Sequence, residues 1–314
     1  MASATLLLPE RRRLNGQPLP DPVARALARA DRSQQDAGQP AQLRRHFRLV
    51  PDHWPVAALT RQLDGGDAAG STWLRADPAR IAPDMNGARM MAYGEALELT
   101  AEDTAQLLPA LKPLFGDAGF PIDAPQPSRW YLRLPLEAKV PAFAPIQDVL
   151  GDDVFDHLPQ GDDGRRWRAL LSEAQVVLHN HPWNAQRVAQ GKPPVNSLWF
   201  WGGGRLPDAV QTHYRQVRSP DTLLRALAGA AGIATTGHEA EQVDALIDLR
   251  HLRNLDRLCA DALQPLLQAL DRRELSSLTL DFEDGAQFDL RRDQRWRFWR
   301  RPLRRLIDAD ALNA

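Results

Sequence analysis

The side chains best suited to chemistry cluster between His179 and Gly204. This stretch offers imidazoles, amides, a guanidinium, indoles and bare glycine backbone. Amides donate and accept hydrogen bonds, arginine binds a carboxylate or phosphate through two parallel bonds, and a triglycine turn lets a ligand approach the backbone closely. We therefore predict a pocket for a small anion, lined by His179, His181, Asn184, Arg187, Asn196, Trp199, Trp201 and Gly203.

A structural interpretation of the same residues stays open. A strand flanked by tryptophan and glycine is usually core followed by a tight turn, and buried asparagines often hydrogen-bond only to loop backbone. His179 and His181 could also ligate a metal, but two residues apart at a helix end they need a third partner such as His157 or Asp156. Helix capping or backbone hydrogen bonding is the simpler role.

Other candidates for chemistry are weaker. Asp64 and Asp67 flank Gly65-Gly66 and could hold a cation, but carboxylates in a turn-rich loop are commonly solvated. The single cysteine, Cys259, excludes an intramolecular disulfide and a cysteine-based zinc site, and its apolar neighbours predict a buried thiol. We assign no catalytic residue, no metal ligand and no cofactor from these patterns.

The motif HPWNAQRVAQGKPPVNSLWFWGGG resembles the signature of the archaeal-type cofactor-independent phosphoglycerate mutases. That signature combines His-Pro-x-Asn, an arginine, Gly-x-x-Pro and Asn-x-x-Trp-x-Trp-Gly. The wider region from Trp73 to Gly204, including FDHLPQG at Phe155 to Gly161, resembles the insertion region of the same family. The resemblance implies an alkaline-phosphatase-like α/β fold.

Within this group the chain most resembles the bacterial RpfE-type regulatory proteins. The likeness rests on the length, on the Asn-Ser-x-Trp-x-x-Gly-x-Gly core and on the ending Arg295-Trp296-Arg297-Phe298-Trp299. It implies a regulatory protein of the pathogenicity-factor type, non-catalytic or weakly catalytic, that binds a small anionic metabolite or a protein partner.

Resemblance to the mutases also implies a nucleophilic serine and two divalent metals held by Asp and His, with an Asp-Gly pair after the first strand. Here the strand at Leu6 to Leu8 runs into Pro9-Glu10-Arg11-Arg12-Arg13. Downstream, only Thr235-Thr236-Gly237-His238-Glu239 and Asp248-Leu249-Arg250-His251 offer acids and histidines. Their sparse spacing argues against mutase turnover. A metal-dependent mutase or phosphatase is therefore the alternative function.

The elements predict a mixed α/β protein. We expect a reduced alkaline-phosphatase-like sheet layer from residues 1–70 and 205–314, interrupted by an α+β insert at residues 71–204. Periodicity predicts a strand at Val195 to Trp201 and a helix from Arg165 to about Asn180. The end should form a β-meander, with a hairpin at Asp284-Gly285 and a last strand at Trp296 to Trp299.

The composition and charge of the chain limit the classes of partner that it is expected to bind. The 314 residues are 43% hydrophobic and 25% charged, which is typical of a globular protein. A net charge of −1 gives no global attraction to nucleic acid or anionic lipid, and no apolar run is long enough to span a bilayer. We expect a cytoplasmic protein without a membrane partner. A nucleic-acid-binding regulator is the remaining alternative, because arginines surround the aromatic residues near the carboxyl terminus.

Overall fold

The computed structural model describes residues 2–14, 18–85, 87–138, 140–233, 235 and 244–307. The chain divides into two compact units, Met1–Asp52 with Ala209–Ala314, and His53–Asp208. The second unit therefore interrupts the first in sequence. The division expected from sequence had its boundaries after residues 70 and 204. The helix at Val56–Gly65 packs on strands of the second unit, which is why contacts place it there and not in the first.

Within the described residues, the strands are β1 (Ala2–Leu8), β2 (Asp31–Gln34), β3 (Arg48–Val50), β4 (Thr72–Asp84), β5 (Gly87–Tyr93), β6 (Ile122–Gln126), β7 (Arg129–Leu134), β8 (Ser197–Gly204), β9 (Ala209–Gln211), β10 (Gln216–Arg218), β11 (Ala245–Asp248), β12 (Leu275–Phe282) and β13 (Ala286–Arg291). The α-helices are α1 (Asp21–Arg29), α2 (Gln39–Arg44), α3 (Val56–Gly65), α4 (Ala101–Asp117), α5 (Ile146–Val149), α6 (Gly161–His179), α7 (Pro182–Ala189), α8 (Thr222–Ala230), α9 (Leu255–Leu258) and α10 (Gln264–Asp271). The predicted mixed α/β fold is confirmed. In the part of the chain described, no helix is long and apolar enough to cross a membrane.

The first unit is built on a sheet with the strand order β10-β11-β1-β12-β13-β2. Strands β10, β11, β1 and β12 run parallel, so their carboxyl ends share one edge. The central strand β1 is buried on both faces, which accounts for its unbroken run of leucines. Leu6 and Leu8 pack in one hydrophobic cluster with Leu27 of α1 and with Cys259.

The second unit is built on a sheet with the order β5-β4-β7-β6, and β8 pairs with the long strand β4. Helices α4 and α6 cover this sheet, and Trp130, Trp167 and Phe200 lie in its core. A capping box starts α4, where Thr100 and Asp103 exchange side-chain-to-backbone hydrogen bonds. Strand β8 and helix α6 confirm the two elements expected from periodicity.

The carboxyl-terminal β-meander was predicted only in part. The hairpin β12–β13 is present, and Gly285 adopts a φ of +83° in its turn, where a side chain would also collide with the carbonyl of Gln35. The prediction of a third strand at Trp296 to Trp299 is wrong. Strand β2 occupies the outer edge of β13, and residues Arg292–Trp296 form a 3₁₀ turn instead. All four residues of β2 are exposed, so no hydrophobic alternation marked it in the sequence.

Candidate functional site

Arg187 lies inside the second unit, not at an open surface. Its Nη1 is 2.6 Å from a carboxylate oxygen of Asp103 on α4. Its Nε and Nη2 donate to the carbonyl of Pro193 at 3.1 and 3.0 Å, and Nη2 also donates to the carbonyl of Leu97. Burial opposes ionisation of Asp103, but hydrogen bonds from Arg187 and Thr100 outweigh it and lower its pKa to about 2. The guanidinium therefore ties α7 to α4.

The two candidate amides are likewise used within the protein. Asn184 accepts from the backbone N–H of Val195 at 2.9 Å and donates to the carbonyls of Val195 and Leu178 at 2.8 and 2.7 Å. Asn196 accepts from the N–H of Ile81 at 2.8 Å and donates to its carbonyl at 2.7 Å. Each amide thus imitates a peptide group and closes a loop against a neighbouring segment.

The histidines lie at the junction between α6 and α7. His179 is the last residue of α6 and is exposed. His181 caps α7, since its Nδ1 accepts from the backbone N–H of Trp183 at 3.2 Å. Capping is the alternative that the sequence left open for this pair.

The three glycines expected to form a turn are instead the end of strand β8, and the close approach that they admit is by the chain itself. At Gly202 the φ is +66°, and a Cβ there would lie 2.9 Å from the Cβ of Val56 in α3. At Gly203 a Cβ would lie 3.1 Å from Leu74 of β4. These glycines let β8 pack tightly against its neighbours.

The two indoles of β8 are core residues with satisfied N–H groups. Trp199 donates to the carbonyl of Ala144 at 3.0 Å, and Trp201 donates to Asp77 at 2.7 Å. Asp77 is fully buried and also pairs with Arg75, whose Nη2 is 2.7 Å away. Burial raises the pKa of Asp77 against the opposing effect of Arg75 and Trp201. The contacts of the whole segment from His179 to Gly204 therefore favour its structural interpretation over the binding one.

Of the two carboxylates at the Gly65-Gly66 turn, the Asp64 side chain is buried and that of Asp67 is exposed, and each is paired with an arginine. Asp64 accepts two hydrogen bonds from Arg129, both 2.8 Å long. Asp67 accepts two from Arg61, at 2.6 and 2.7 Å. Arginines of β7 and α3 therefore hold the two acids, and the expectation of a solvated carboxylate is corrected for Asp64 but holds for the exposed Asp67.

Two other carboxylates lie at the carboxyl edge of the sheet in the first unit. Asp248 ends β11, and Asp281 is the penultimate residue of β12. Both are in register with Leu7 of the intervening strand β1. Residues in register on neighbouring parallel strands project to one face, and strands lie about 4.8 Å apart. The two buried carboxylates therefore occupy one face with Cα atoms about 10 Å apart.

Asp248 is held by an arginine. Nε and Nη2 of Arg250 donate to its two oxygens at 2.8 and 2.9 Å, and the hydroxyl of Ser219 donates at 2.7 Å. Burial alone would raise the pKa of Asp248, but Arg250 and Ser219 lower it overall. The remaining nitrogen of Arg250, Nη1, is buried and has no hydrogen-bond partner within the described residues.

Asp281 is held by an arginine and a histidine. Arg45 approaches it through Nη2 at 2.7 Å and Nε at 3.1 Å, and Nε2 of His46 lies 2.6 Å away. Nδ1 of His46 is 2.9 Å from the hydroxyl of Tyr214. With its proton on Nε2, His46 donates to Asp281 and accepts from the Tyr214 hydroxyl at Nδ1. Burial raises the pKa of Tyr214 to about 12, so the phenol stays protonated.

The described part of the chain contains no group of three or more His, Cys, Asp or Glu side chains that could together hold a metal ion. His157, the third partner considered for the histidine pair, lies 3.3 Å from Asp152. Of the downstream candidates, residues 236–239 fall outside the described residues, and Asp248 is paired with Arg250.

Sequence reasoning missed His46, Tyr214 and Asp281. Both strand-end acids follow apolar runs, Ala-Leu-Ile-Asp in β11 and Leu-Thr-Leu-Asp in β12, and this pattern is a usable signal for polar groups at a sheet edge. The partner His46 is 235 positions away from Asp281 in sequence, so no local pattern could join them.

The molecule is thus a mixed α/β protein with an inserted unit and arginine-paired carboxylates at its parallel strand ends. No protein-family model matches it. Part of the chain is similar to cofactor-independent phosphoglycerate mutases. It is 35% identical over 94 residues to a probable 2,3-bisphosphoglycerate-independent phosphoglycerate mutase of Geobacter sulfurreducens, covering 28% of this chain and 24% of that protein. It is 44% identical over 63 residues to the 2,3-bisphosphoglycerate-independent phosphoglycerate mutase of Methanosarcina acetivorans, covering 20% and 16%.

The chain therefore aligns with a quarter or less of the length of these curated relatives. Among solved structures, the PH0037 protein from Pyrococcus horikoshii superposes with a TM-score of 0.53 at 14% identity, over 99% of this chain and 92% of that one. The cofactor-independent phosphoglycerate mutase from Thermoplasma acidophilum superposes with a TM-score of 0.45 at 15% identity, over 92% and 89%. At such identity the likeness to PH0037 concerns the fold alone.

Proposed function

We propose that this chain is a regulatory binding protein of the RpfE type, built on a phosphoglycerate-mutase-like fold, that does not carry out the mutase reaction. The observation that carries the proposal is the pairing of Asp248 and Asp281 with arginines at the carboxyl edge of the sheet. Ligands of open α/β sheets bind at this edge, so its chemistry bears most directly on function.

Carboxylates occupied in this way do not suit a divalent ion. A metal ligand must offer an oxygen lone pair, and both oxygens of Asp248 already accept from Arg250 and Ser219. Both oxygens of Asp281 accept from Arg45, and one is also contacted by His46. Loading a metal would displace a buried guanidinium from its partner, which costs several kcal/mol by the usual penalty for a broken buried pair, about 3–5 kcal/mol.

The ligand we propose is a small phosphorylated or carboxylated anion. Arg250 keeps a buried nitrogen without a hydrogen-bond partner in the described residues, and a bound anion oxygen would satisfy it. The 3₁₀ turn Arg11–Leu14 follows β1 at the same edge and carries three arginines, of which Arg11 pairs with Asp284 and Arg12 with Glu10. This edge replaces the segment from His179 to Gly204 as the location of the anion site.

A mutase that turns over phosphoglycerate is the second candidate, favoured by the local identity to enzymes of that name. The two separate by direct assay. Purified protein is given Mn²⁺ or Co²⁺ and tested for metal retention and for interconversion of 2- and 3-phosphoglycerate. The binding proposal expects neither. Stoichiometric metal together with turnover, lost in Asp248→Asn, would establish the enzyme instead.

Ligand binding is tested by thermal unfolding with inorganic phosphate, 3-phosphoglycerate and citrate. A ligand in large excess over its Kd should raise the Tm by about 5 °C or more. Arg250→Lys keeps the charge but loses the two-pronged geometry and should abolish the shift. Arg257→Lys, at an exposed position on α9, is the matched control and should retain it. The absence of any shift across these anions would overturn the anion-binding part of the proposal.

A further inference from the structure

Three large aromatic side chains project from the first unit within four positions. Trp296, Phe298 and Trp299 are 65%, 77% and 69% exposed. Large aromatic residues are normally buried for most of their area, and clustered exposed ones mark an interaction surface. We call residues 295–301 the aromatic projection.

The projection is held in place from both sides. Before it, the 3₁₀ turn Arg292–Trp296 is fixed by Gln294, which donates to the carbonyl of Asp289 at 3.0 Å. Within it, Arg300 donates to the carbonyl of Ala30 at 2.9 Å. After it, Leu303 and Leu306 are buried in the core of the unit. The rings are therefore displayed by an anchored segment.

The net charge of the segment around the rings is strongly positive. From Arg291 to Ile307 the chain carries eight arginines and a single acid, Asp293. Arg301, Arg304 and Arg305 are exposed and form no ion pair within the described residues. Such a surface complements an anionic one.

The packing of the rings distinguishes between two anionic partners, nucleic acid and a lipid surface. Base stacking needs open aromatic faces. Here the guanidinium of Arg295 lies over the Trp296 ring, 4.9 Å from its centroid. Phe298 and Trp299 pack edge to face, with centroids 5.6 Å apart and planes at 77°. Insertion into a lipid interface needs exposed apolar area and neighbouring cations but no free face.

We propose that the aromatic projection docks this protein peripherally on an anionic phospholipid bilayer, with the three rings in the interface and the arginines on the lipid headgroups. The sequence expectation of no membrane partner rested on net charge and on spanning segments. Neither addresses a local patch. This proposal goes beyond the proposed function and does not depend on the sheet edge.

The test is co-sedimentation of the full chain with phosphatidylcholine vesicles, with and without phosphatidylserine. Wild type should sediment only with phosphatidylserine, and added salt should release it. Replacing the three rings together, Trp296→Ser, Phe298→Ser and Trp299→Ser, should weaken binding at least about tenfold. Replacing Arg301, Arg304 and Arg305 by Gln should weaken it on the order of 100-fold.

Phe155→Ser is the matched control, because Phe155 is exposed but belongs to the second unit and lacks the surrounding arginines. It should bind vesicles like wild type. All variants change exposed residues, and thermal unfolding checks that they fold. No sedimentation of the folded wild type, or equal sedimentation of the ring variant, would overturn the proposal. Retention on a mixed-sequence single-stranded oligonucleotide without vesicle binding would assign the patch to nucleic acid instead.

Discussion

Asp248 and Asp281 lie opposite the same residue of β1, one on each neighbouring strand, and each is clamped by an arginine. The chain thus keeps two acids on one face of the sheet edge but neutralises each of them locally. Each of these two buried carboxylates therefore has its own guanidinium as counter-charge.

Removing the clamp of Asp248 should be strongly destabilising. Arg250→Met leaves a buried carboxylate uncompensated, with an expected loss of about 3 to 5 kcal/mol in the free energy of unfolding. Urea denaturation measures it. The double variant Arg250→Met with Asp248→Leu should recover part of the loss, because no buried charge remains. Equal loss in the single and double variants would contradict a role for the ion pair.

The Arg187–Asp103 pair should make stability depend on acid pH. The pKa of Asp103 in the folded protein is about 2, below its ordinary value of 3.8. A carboxyl group whose pKa is lower in the folded than in the unfolded protein stabilises the folded protein at pH values above the unfolded-state pKa. This contribution, about 2 kcal/mol, is lost as pH falls from about 4 toward 2. Asp103→Asn should flatten that part of the profile of unfolding free energy against pH. A variant profile parallel to wild type would contradict the prediction.

Asn184 should act as a structural residue. Asn184→Ala leaves the buried N–H and carbonyl of Val195 without their partners, and should cost at least about 2 kcal/mol in chemical denaturation. The control Asn180→Ala removes one exposed hydrogen bond to Val176 at the end of α6 and should change stability by less than about 0.5 kcal/mol. If Asn184→Ala instead kept full stability and lost an anion-induced Tm shift, the binding interpretation would hold.

The three glycines at the end of β8 should tolerate no side chain at the first position, Gly202. Gly202→Ala combines a left-handed backbone with a collision against Val56. Gly191→Ala has a similar φ, +75°, but open space around it, and so isolates the backbone cost of about 1 to 2 kcal/mol. We expect Gly202→Ala to be worse by a further 1 to 3 kcal/mol, roughly the cost of overpacking, in thermal or urea unfolding. Equal losses would show that packing at Val56 does not matter.

Cys259 should report on unfolding of the first unit. Its side chain is buried, and burial raises the pKa of the thiol to about 11, so little thiolate exists at neutral pH. Native protein should react with a thiol reagent at a rate set by opening of the core, and denaturant should bring the reaction to that of a free cysteine. Rapid labelling under native conditions would contradict the burial.

Local pattern predicted much of this fold. A run of apolar and aromatic residues marked β8, and helical spacing marked α6. The contacts of a side chain could not be predicted where its partner is distant in sequence. The chemistry of Arg187 depends on Asp103, and that of Asp281 on His46. The type of a residue indicates which groups its side chain can bind. Only the fold determines whether another part of the chain already occupies that side chain.

The short antiparallel pair of β3 and β9 stands where the second unit leaves and rejoins the first. Val50 is in register with Ala209, so the chain segments before and after the second unit pair with each other within the first unit. Residues 53–208 therefore start and end next to one strand pair of the first unit, and a short bridge suffices to join the two strands in their place. A gene that encodes the first unit with such a bridge should still specify the pairing of β3 with β9.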